Sequence, residues 1–309
     1  MIVNEAPSLT VIVVNYFSEE RLARCLRSLA AQSEPLEVIV SDNGSRPDRR
    51  EALLNSHPAL IWRAMGTNAG FAAASNAGAK LARSDKLLFL NPDAAVVGDG
   101  LGALVRALDA AEYAGAILGC AIRDEDGSLQ LSCRRFPTWR TFLASRHSLL
   151  TRLVPSNAWS AGYLMRDFDH RRILAVDWVS GAAMAMRRRI FEELHGFDEA
   201  FFLYFEDVDL CRRARARGIP VIYYPEVVVE HAIGSSSRQV PYRALLWRHR
   251  SMWTYYRRYH SRPWLDPLAW TAIFGRLGCV CAAAALGRLR PTWQTGAAVA
   301  RRLGHGGLS

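Results

Sequence analysis

The first 93 residues alternate between short apolar runs and segments with helical spacing, and this alternation constrains the fold more than any other feature of the chain. The apolar runs are β-branched, of strand length, and lie at residues 9–14, 36–41, 60–63 and 87–90. The segments between them predict helices at about 19–31, 48–56 and 72–83. Alternation of this kind is typical of parallel strands joined by helices. The sequence therefore predicts an α/β domain with a mainly parallel, doubly wound sheet.

Beyond residue 93 the rhythm is less regular, although further elements can be predicted. We expect helices at about 100–112, 188–195 and 207–217, strands at 116–122 and 220–230, and a hairpin-type turn at Asp124–Gly127. Residues 134–172 are rich in arginine and aromatic residues, and they predict a long segment without clear periodicity. We place one α/β domain at 1–237 and a basic, helical tail at 238–309.

The tail has two interpretations. Residues 238–262 contain seven arginines and no acid, with Trp and Tyr interleaved among them. This pattern is typical of an amphipathic element that lies on an anionic membrane surface. Helices packed on the α/β domain would explain the pattern equally well. A membrane-spanning helix is not predicted, because no stretch of about 18 or more residues lacks a charge.

Charge, cysteine usage and the N-terminus indicate where the protein is located. The formal net charge is +10, and Lys80 and Lys86 are the only lysines among 39 basic residues. Arginine suits phosphate groups and anionic lipid, although codon usage would produce the same bias. The six cysteines form no C-x-x-C pair, and the N-terminus lacks the features of a signal peptide. We expect a cytoplasmic protein that can associate peripherally with the cytoplasmic face of the inner membrane.

Polar residues follow several of the predicted strands and turns. Since parallel strands converge on one edge of a sheet, many of these side chains should line a single crevice. The candidates are Asn15, Asp42, Asn43, Asn68, Gly70, Asn76, Asn91, Asp93, Glu206, Asp207 and His231.

The chemistry of these residues suits a nucleotide that is held through its base and ribose. Asp42 and Asn43 can hydrogen-bond a pyrimidine or ribose hydroxyls, and Gly70 offers a backbone amide. Asp93 and His231 are possible ligands of Mg²⁺ or Mn²⁺, which would neutralise a departing diphosphate. Asp207 can act as a general base on an acceptor hydroxyl.

Each of these side chains also has a structural explanation. Asp42 lies in a turn sequence, Asp207 can stabilise a helix N-terminus, and His231 can be a structural histidine. A basic protein that binds nucleic acid would explain the tail, but acids at the strand ends would repel phosphates. We therefore expect no nucleic-acid partner.

In order along the chain, these segments resemble the family 2 inverting glycosyltransferases with a GT-A fold, and in particular their rhamnosyltransferase-like branch. The resemblance spans about residues 8–235. The segments that carry it are Val11-Ile-Val-Val-Asn-Tyr16, Val40-Ser-Asp-Asn-Gly-Ser45, Asn68-Ala-Gly-Phe71, Asn76-Ala-Gly78, Leu88-Phe-Leu-Asn-Pro-Asp93, Asp177-Trp-Val-Ser-Gly-Ala182, Gly196-Phe-Asp-Glu199 and Phe202-Leu-Tyr-Phe-Glu-Asp-Val-Asp-Leu210.

The resemblance implies a role for each matching position. Asp42 matches the acid that contacts the base, with Asn43 and Asn76 near the nucleoside. Asp93 matches the last acid of an Asp-x-Asp metal motif whose first position is Asn91 here, and His231 matches a histidine that completes the metal site.

On the acceptor side, Asp207 matches the catalytic base, and Glu206 beside it would position the acceptor. Trp178 and Gly181 match a Trp-x-x-Gly segment at the junction of sugar and acceptor. The implied donor is dTDP-rhamnose or, as the alternative, a UDP-sugar. The implied acceptor is a glycan or a polyprenyl-linked saccharide, with a soluble or protein acceptor as the alternative.

Overall fold

A computed structural model describes residues 6–138, 162–165, 168–232 and 241–285. Its first half follows the predicted alternation closely. The elements are β1 (Leu9–Asn15), α1 (Glu19–Ala30), β2 (Leu36–Asp42), α2 (Pro47–Ser56), β3 (Ile61–Ala64), α3 (Gly70–Ala79), β4 (Lys86–Leu90) and β5 (Ala94–Val96). Helix α3 begins and ends earlier than predicted, and it starts at Gly70, whose φ of +87° favours glycine.

The second half adds strands to the same sheet and helices around it. Its elements are α4 (Leu101–Asp109), β6 (Ile117–Arg123), β7 (Leu129–Gln130), β8 (Cys133–Arg134), β9 (Leu174–Ala175), β10 (Trp178–Val179), β11 (Ala183–Arg187), α5 (Arg188–Glu193), α6 (Glu206–Ala216), β12 (Val221–His231), α7 (Pro241–Tyr259) and α8 (Asp266–Ala285). The predicted turn after β6 is confirmed, since Gly127 N–H donates to the Asp124 carbonyl oxygen and β7 returns antiparallel to β6. Most of the segment predicted to lack periodicity lies outside the described residues.

The main sheet has the order β3-β2-β1-β4-β11-β6-β12-β5. Strands β3, β2, β1 and β4 are parallel to one another, and β6 is parallel to β12. Strand β11 lies antiparallel between β4 and β6, and β5 lies antiparallel to the end of β12. The predicted α/β architecture is confirmed, with a mixed sheet.

Both faces of the sheet are buried, as the apolar runs require. Side chains of successive strand residues point to opposite faces. On one face, Val11 and Val13 pack with Leu22 of α1. On the other face, Ile12 and Phe89 belong to a cluster that also contains the aromatic residues Phe191, Phe197, Phe201, Tyr223 and Tyr255. The strand ends are therefore held by a core on each side.

Helix α7 belongs to this core. Tyr255 is fully buried, and the ring of Trp247 lies 4.4 Å from that of Phe202. The Arg258 guanidinium contacts Asp198 at 2.6 Å and Asp209 at 2.8 Å. Of the two interpretations of the tail, packing on the core describes α7. Within the described part of the chain, no helix is both long enough and apolar enough to cross a membrane.

Candidate active site

The ends of β1 and β2 form the first part of the site. Asn15 and Asp42 are paired across the two strands, and Asn15 Nδ2 donates to Asp42 Oδ1 at 2.9 Å. The Gly44 N–H also donates to Oδ1 at 3.2 Å, and Ser45 Oγ donates to Oδ2 at 2.7 Å. These bonds hold the Asp42 carboxylate in one orientation. A preorganised carboxylate at this edge suits a ligand with hydroxyl or N–H donors.

A second loop lies against this one through Asn43. Its Nδ2 donates to the Gly70 carbonyl oxygen at 3.0 Å, and its Oδ1 accepts from Ala69 N–H at 3.1 Å. The Gly70 N–H donates to Asn68 Oδ1 at 3.1 Å, so it is already bonded. The prediction that this amide binds a ligand stays a prediction. Gly70 also has a conformational role at the start of α3, where a Cβ would collide with Phe202.

Asn76 forms hydrogen bonds with the turn at 196–199. Its Oδ1 accepts from Phe197 N–H at 2.9 Å, and its Nδ2 donates to the Phe197 carbonyl oxygen at 2.8 Å and to Glu199 Oε1 at 3.0 Å. One acceptor and two donors are thus engaged by the turn at 196–199. Asn76 joins α3 to the turn through these bonds, and its place near the nucleoside stays a prediction.

The end of β4 and the end of β12 bring Asp93 and His231 together. His231 is paired with Ala94 across β12 and β5, and its Nε2 lies 3.1 Å from Asp93 Oδ1. Asn91 Nδ2 lies 3.1 Å from the same nitrogen. Asp93 is 7% exposed, so the carboxylate faces a nearly closed environment. The residues predicted as metal-side groups therefore meet at one point.

This pair fits part of the coordination shell of a divalent cation. Bonds of about 2.1 Å at right angles separate two ligand atoms by about 3.0 Å, which the Asp93–His231 spacing matches. Among the described residues, no group of three or more His, Cys, Asp or Glu side chains could hold a metal ion. Asn91 matches the first position of the Asp-x-Asp motif, so it offers an amide where that motif has a carboxylate. The remaining ligands of such an ion would have to come from a bound diphosphate or water.

Asp207 lies at the N-terminus of α6, and its carboxylate is held by backbone donors. Gly181 N–H donates to Oδ2 at 3.0 Å, and Val208 N–H donates to Oδ1 at 2.8 Å. Burial raises the pKa of Asp207, while these N–H groups and the Arg134 guanidinium act to lower it. A carboxylate with a raised pKa in a fixed position has the properties of a general base.

Glu206 precedes Asp207 and is more deeply buried. Its pKa lies well above the usual range, because burial disfavours the charged form and the neighbouring Asp207 charge adds to this effect. Its Oε2 has no hydrogen-bond partner among the described residues. Tyr204 and Phe205, just before it, have φ of +67° and +71°, an unusual conformation that is common at functional sites.

Trp178 is buried and held by contacts with two neighbouring arginines. Its Nε1 donates to the Arg135 carbonyl oxygen at 2.8 Å, and the Arg134 guanidinium lies 5.2 Å from its ring centre. The place of Trp178 and Gly181 at the sugar–acceptor junction stays a prediction. Arg134, the last residue of β8, was not among the predicted site residues, because an arginine in an arginine-rich segment has no distinctive pattern.

A chain of hydrogen bonds connects the metal-side and base-side residues. Asn91 Nδ2 reaches His231, and the Asn91 N–H donates to the Ala182 carbonyl oxygen at 3.0 Å. The next residue back, Gly181, donates to Asp207. Because β1 and β2 lie beside β4, the Asp42 loop belongs to the same edge of the sheet.

Known proteins resemble this chain in both sequence and fold. A family model described as "Glycosyl transferase family 2" matches residues 10–195. The N-acetylglucosaminyl-diphospho-decaprenol L-rhamnosyltransferase of Mycobacterium tuberculosis (strain ATCC 25618 / H37Rv) is 33% identical over 278 residues, which cover 85% of this chain and 88% of that protein. Rhamnosyltransferase WbbL of Escherichia coli (strain K12) is 28% identical over 262 residues, which cover 80% of this chain and 92% of WbbL.

Solved structures share the fold at lower identity. The mannosyltransferase PcManGT from Pyrobaculum calidifontis, in complex with GDP-Man and Mn²⁺, has a TM-score of 0.53 and 19% identity over 96% of this chain and 81% of its own. GalNAc-T7 with UDP, GalNAc and Mn²⁺ has a TM-score of 0.54 and 14% identity over 74% of this chain and 43% of its own. The chain has the GT-A fold and belongs to glycosyl transferase family 2.

Proposed function

We propose that this glycosyltransferase moves a sugar, with rhamnose favoured, from a nucleotide diphosphate donor to a glycan or polyprenyl-linked saccharide, with inversion. The observation that carries the proposal is the placement of Asp207, which Gly181 holds beside the strand end that bears Asn91 and Asp93. Two relatives that cover most of the chain are named rhamnosyltransferases, and one name specifies a polyprenyl-linked substrate. The reaction would belong to cell-surface polysaccharide synthesis.

The transfer itself would be a single in-line displacement. Asp207 accepts the proton of the acceptor hydroxyl, and the oxygen attacks the anomeric carbon from the side opposite the diphosphate. The bond from the anomeric carbon to the diphosphate oxygen breaks, and the transition state has oxocarbenium-like charge. Glu206, buried beside the base, would position the acceptor.

The donor would lie along the strand ends. Asn15, Asp42, Asn43 and Asn68 belong to the loops that would face the nucleoside. Asp93 and His231, with Asn91 beside them, would hold Mg²⁺ or Mn²⁺. A bound cation of this kind neutralises negative charge on the departing diphosphate.

A thermal-shift screen of nucleotide diphosphate sugars, with and without Mn²⁺, tests the donor. We expect dTDP-rhamnose to stabilise the protein more than UDP-sugars or GDP-sugars, and more strongly when Mn²⁺ is present. Stabilisation by a UDP-sugar alone would favour the alternative donor. A screen in which no nucleotide sugar stabilises the protein would contradict the proposed substrate class.

A lipid-linked acceptor would require the protein to work at a membrane surface, and the outer face of α8 suits this. Between residues 266 and 282, where the exposure of α8 is described, the exposed residues carry no charge: Pro267, Leu268, Trp270, Thr271, Gly275, Gly278, Cys279 and Ala282. Trp264, just before the helix, is 74% exposed. Arg257 and Arg262 lie exposed nearby, and residues 267–309 contain no acid. Aromatic and apolar residues flanked by arginine favour an anionic lipid surface.

Vesicle sedimentation tests this surface. We expect the protein to sediment with phosphatidylglycerol vesicles and much less with phosphatidylcholine vesicles. The double variant Trp264→Ala/Trp270→Ala should bind the anionic vesicles at least about tenfold more weakly, because it loses the apolar contact. Leu81→Ala, which removes an exposed apolar side chain from another part of the surface, is the matched control. Equal sedimentation of the double variant and the wild type would contradict the assignment.

A further inference from the structure

Gln130 connects the metal-side histidine to the turn between β6 and β7. Its side chain is 8% exposed, and Nε2 donates to Asp124 Oδ1 at 2.7 Å and to the His231 carbonyl oxygen at 2.6 Å. Both partners present acceptor oxygens to this amide. The orientation of the Gln130 amide is thereby determined, because the opposite orientation would place its oxygen against two other oxygens.

This orientation has a consequence for the His231 ring. Gln130 Oε1 lies 3.2 Å from His231 Nδ1. Since the amide oxygen can only accept, Nδ1 must carry the hydrogen. In the neutral imidazole, Nε2 then has a lone pair instead of a hydrogen. That lone pair can accept a hydrogen bond from Asn91 Nδ2, 3.1 Å away. It also lies 3.1 Å from Asp93 Oδ1, an approach of two electron-rich atoms that a cation between them would make favourable.

The opposite tautomer would obstruct a cation. With the hydrogen on Nε2, His231 would donate directly to Asp93 and occupy both potential ligands in one hydrogen bond. It would also oppose the Nδ1 lone pair to the Gln130 oxygen, which is unfavourable in a buried location. Gln130 therefore works against the arrangement in which the two ligands bind each other.

We propose that Gln130, held by Asp124, is a positioning residue that fixes the His231 tautomer so that Nε2 can bind a divalent cation together with Asp93. The inference rests on the cation site given under the proposed function, and it assigns a role to a side chain outside that site. Partners that orient metal-binding histidines typically change metal affinity by about 10–100-fold when they are replaced.

Nitrogen NMR of the metal-free protein tests the tautomer directly. The His231 signals can be assigned among the eight histidines by comparison with His231→Ala. We expect the chemical shift of Nδ1 to be that of a protonated ring nitrogen and that of Nε2 to be that of an unprotonated one. A protonated Nε2 in the neutral wild-type ring would overturn the proposal, and this measurement needs no variant of Gln130.

A second experiment tests the effect of Gln130 on cation binding. Electron paramagnetic resonance measures Mn²⁺ binding in the presence of a nucleoside diphosphate. Gln130→Met should weaken Mn²⁺ binding about 10–100-fold and produce a mixture of His231 tautomers. Ser128→Ala alters the same turn, where Ser128 Oγ contacts Asp124 Oδ2 at 3.4 Å, but leaves Gln130 in place, and should bind like the wild type. Unchanged binding by Gln130→Met would refute the role of Gln130.

The His231→Ala variant separates the two proposals. If it binds Mn²⁺ like the wild type, the cation site itself is wrong, whatever Gln130 does. If it loses binding while Gln130→Met does not, the cation site stands and only the positioning role fails.

Discussion

The Gly181 N–H donates a hydrogen bond to Oδ2 of Asp207 across 3.0 Å. A Cβ at position 181 would lie 3.4 Å from the Asp207 Cβ, so the two backbones approach closely at this point. The contact joins the N-terminus of α6 to the strand ends, and it sets where the proposed base can receive a proton.

Asp207→Asn should reduce turnover by about 10²–10⁴-fold while donor binding is retained, because the amide cannot accept the proton of the acceptor. Turnover measured with the donor identified in the screen, and donor affinity measured by calorimetry, would show the separation. Glu193→Gln, which replaces an exposed carboxylate on α5, is the control. Near-normal turnover of Asp207→Asn would exclude it as the base.

Arg134→Met should shift the acid limb of the pH–activity profile to higher pH. The Arg134 guanidinium lowers the pKa of Asp207, so its removal raises the pH at which the base becomes deprotonated. Methionine keeps apolar bulk beside Trp178. Profiles of kcat against pH for the wild type and the variant would measure the shift, and identical acid limbs would show that this charge does not act on the base.

Glu206→Gln should stabilise the protein increasingly as pH rises. The pKa of Glu206 is raised in the folded state, so the folded protein binds more protons than the unfolded chain above about pH 4.3. Wild-type stability therefore falls from that pH up to the folded-state pKa, and the glutamine variant avoids this loss. Chemical denaturation at several pH values would measure it, with the exposed Glu20→Gln as control. A difference that shrinks with rising pH would contradict the assignment.

Gly70→Ala should destabilise the protein by about 1–3 kcal/mol more than Gly66→Ala does. Both glycines have positive φ, at +87° and +77°, so both alanine variants carry the cost of that conformation, about 1–2 kcal/mol. Only at Gly70 does the added Cβ meet another group: it overlaps the Phe202 carbonyl oxygen and lies 2.9 Å from Phe202 Cδ2, whereas nothing lies within 4 Å at Gly66. Equal free energies of unfolding for the two variants would contradict the close approach of α3 and Phe202.

Tyr255→Ala should cost about 3–5 kcal/mol of stability, the range expected for a fully buried aromatic side chain. Tyr255 has no exposed surface, whereas Tyr242 at the start of the same helix is 51% exposed. Tyr242→Ala should change the free energy of unfolding by no more than about 0.5 kcal/mol. Similar values for the two variants would mean that α7 does not belong to the core.

Much of the fold could be predicted from local patterns, because β1 and β2 are mostly apolar and β-branched and α1 has leucines on one face. The position of β11 could not be predicted in this way. Its apolar run has strand composition, but nothing local indicates that it inserts antiparallel between β4 and β6. Sheet order is decided by long-range packing, which periodicity does not record.

The same distinction applies to the site. Asp93 and His231 could be paired in advance because both follow apolar strands and both have ligand chemistry. The bonds between Asn76 and Phe197 could not be predicted, because the two residues lie 121 positions apart in the sequence. Gln130 and Arg134 could not be recognised from the sequence around them. Their roles depend on residues that other segments of the chain place beside them.

The bonds between α3 and the segment before α6 limit how relatives of this enzyme can be recombined. Phe71 N–H donates to the Phe202 carbonyl oxygen at 2.8 Å. The Asn76 side chain hydrogen-bonds both the N–H and the carbonyl oxygen of Phe197. These bonds join the donor side and the acceptor side of the site across distant parts of the sequence. A single junction between the two segments would therefore take them from different parents. A chimaera that exchanges acceptor preference between two such proteins should inherit residues 70–76 and 196–202 from the same parent.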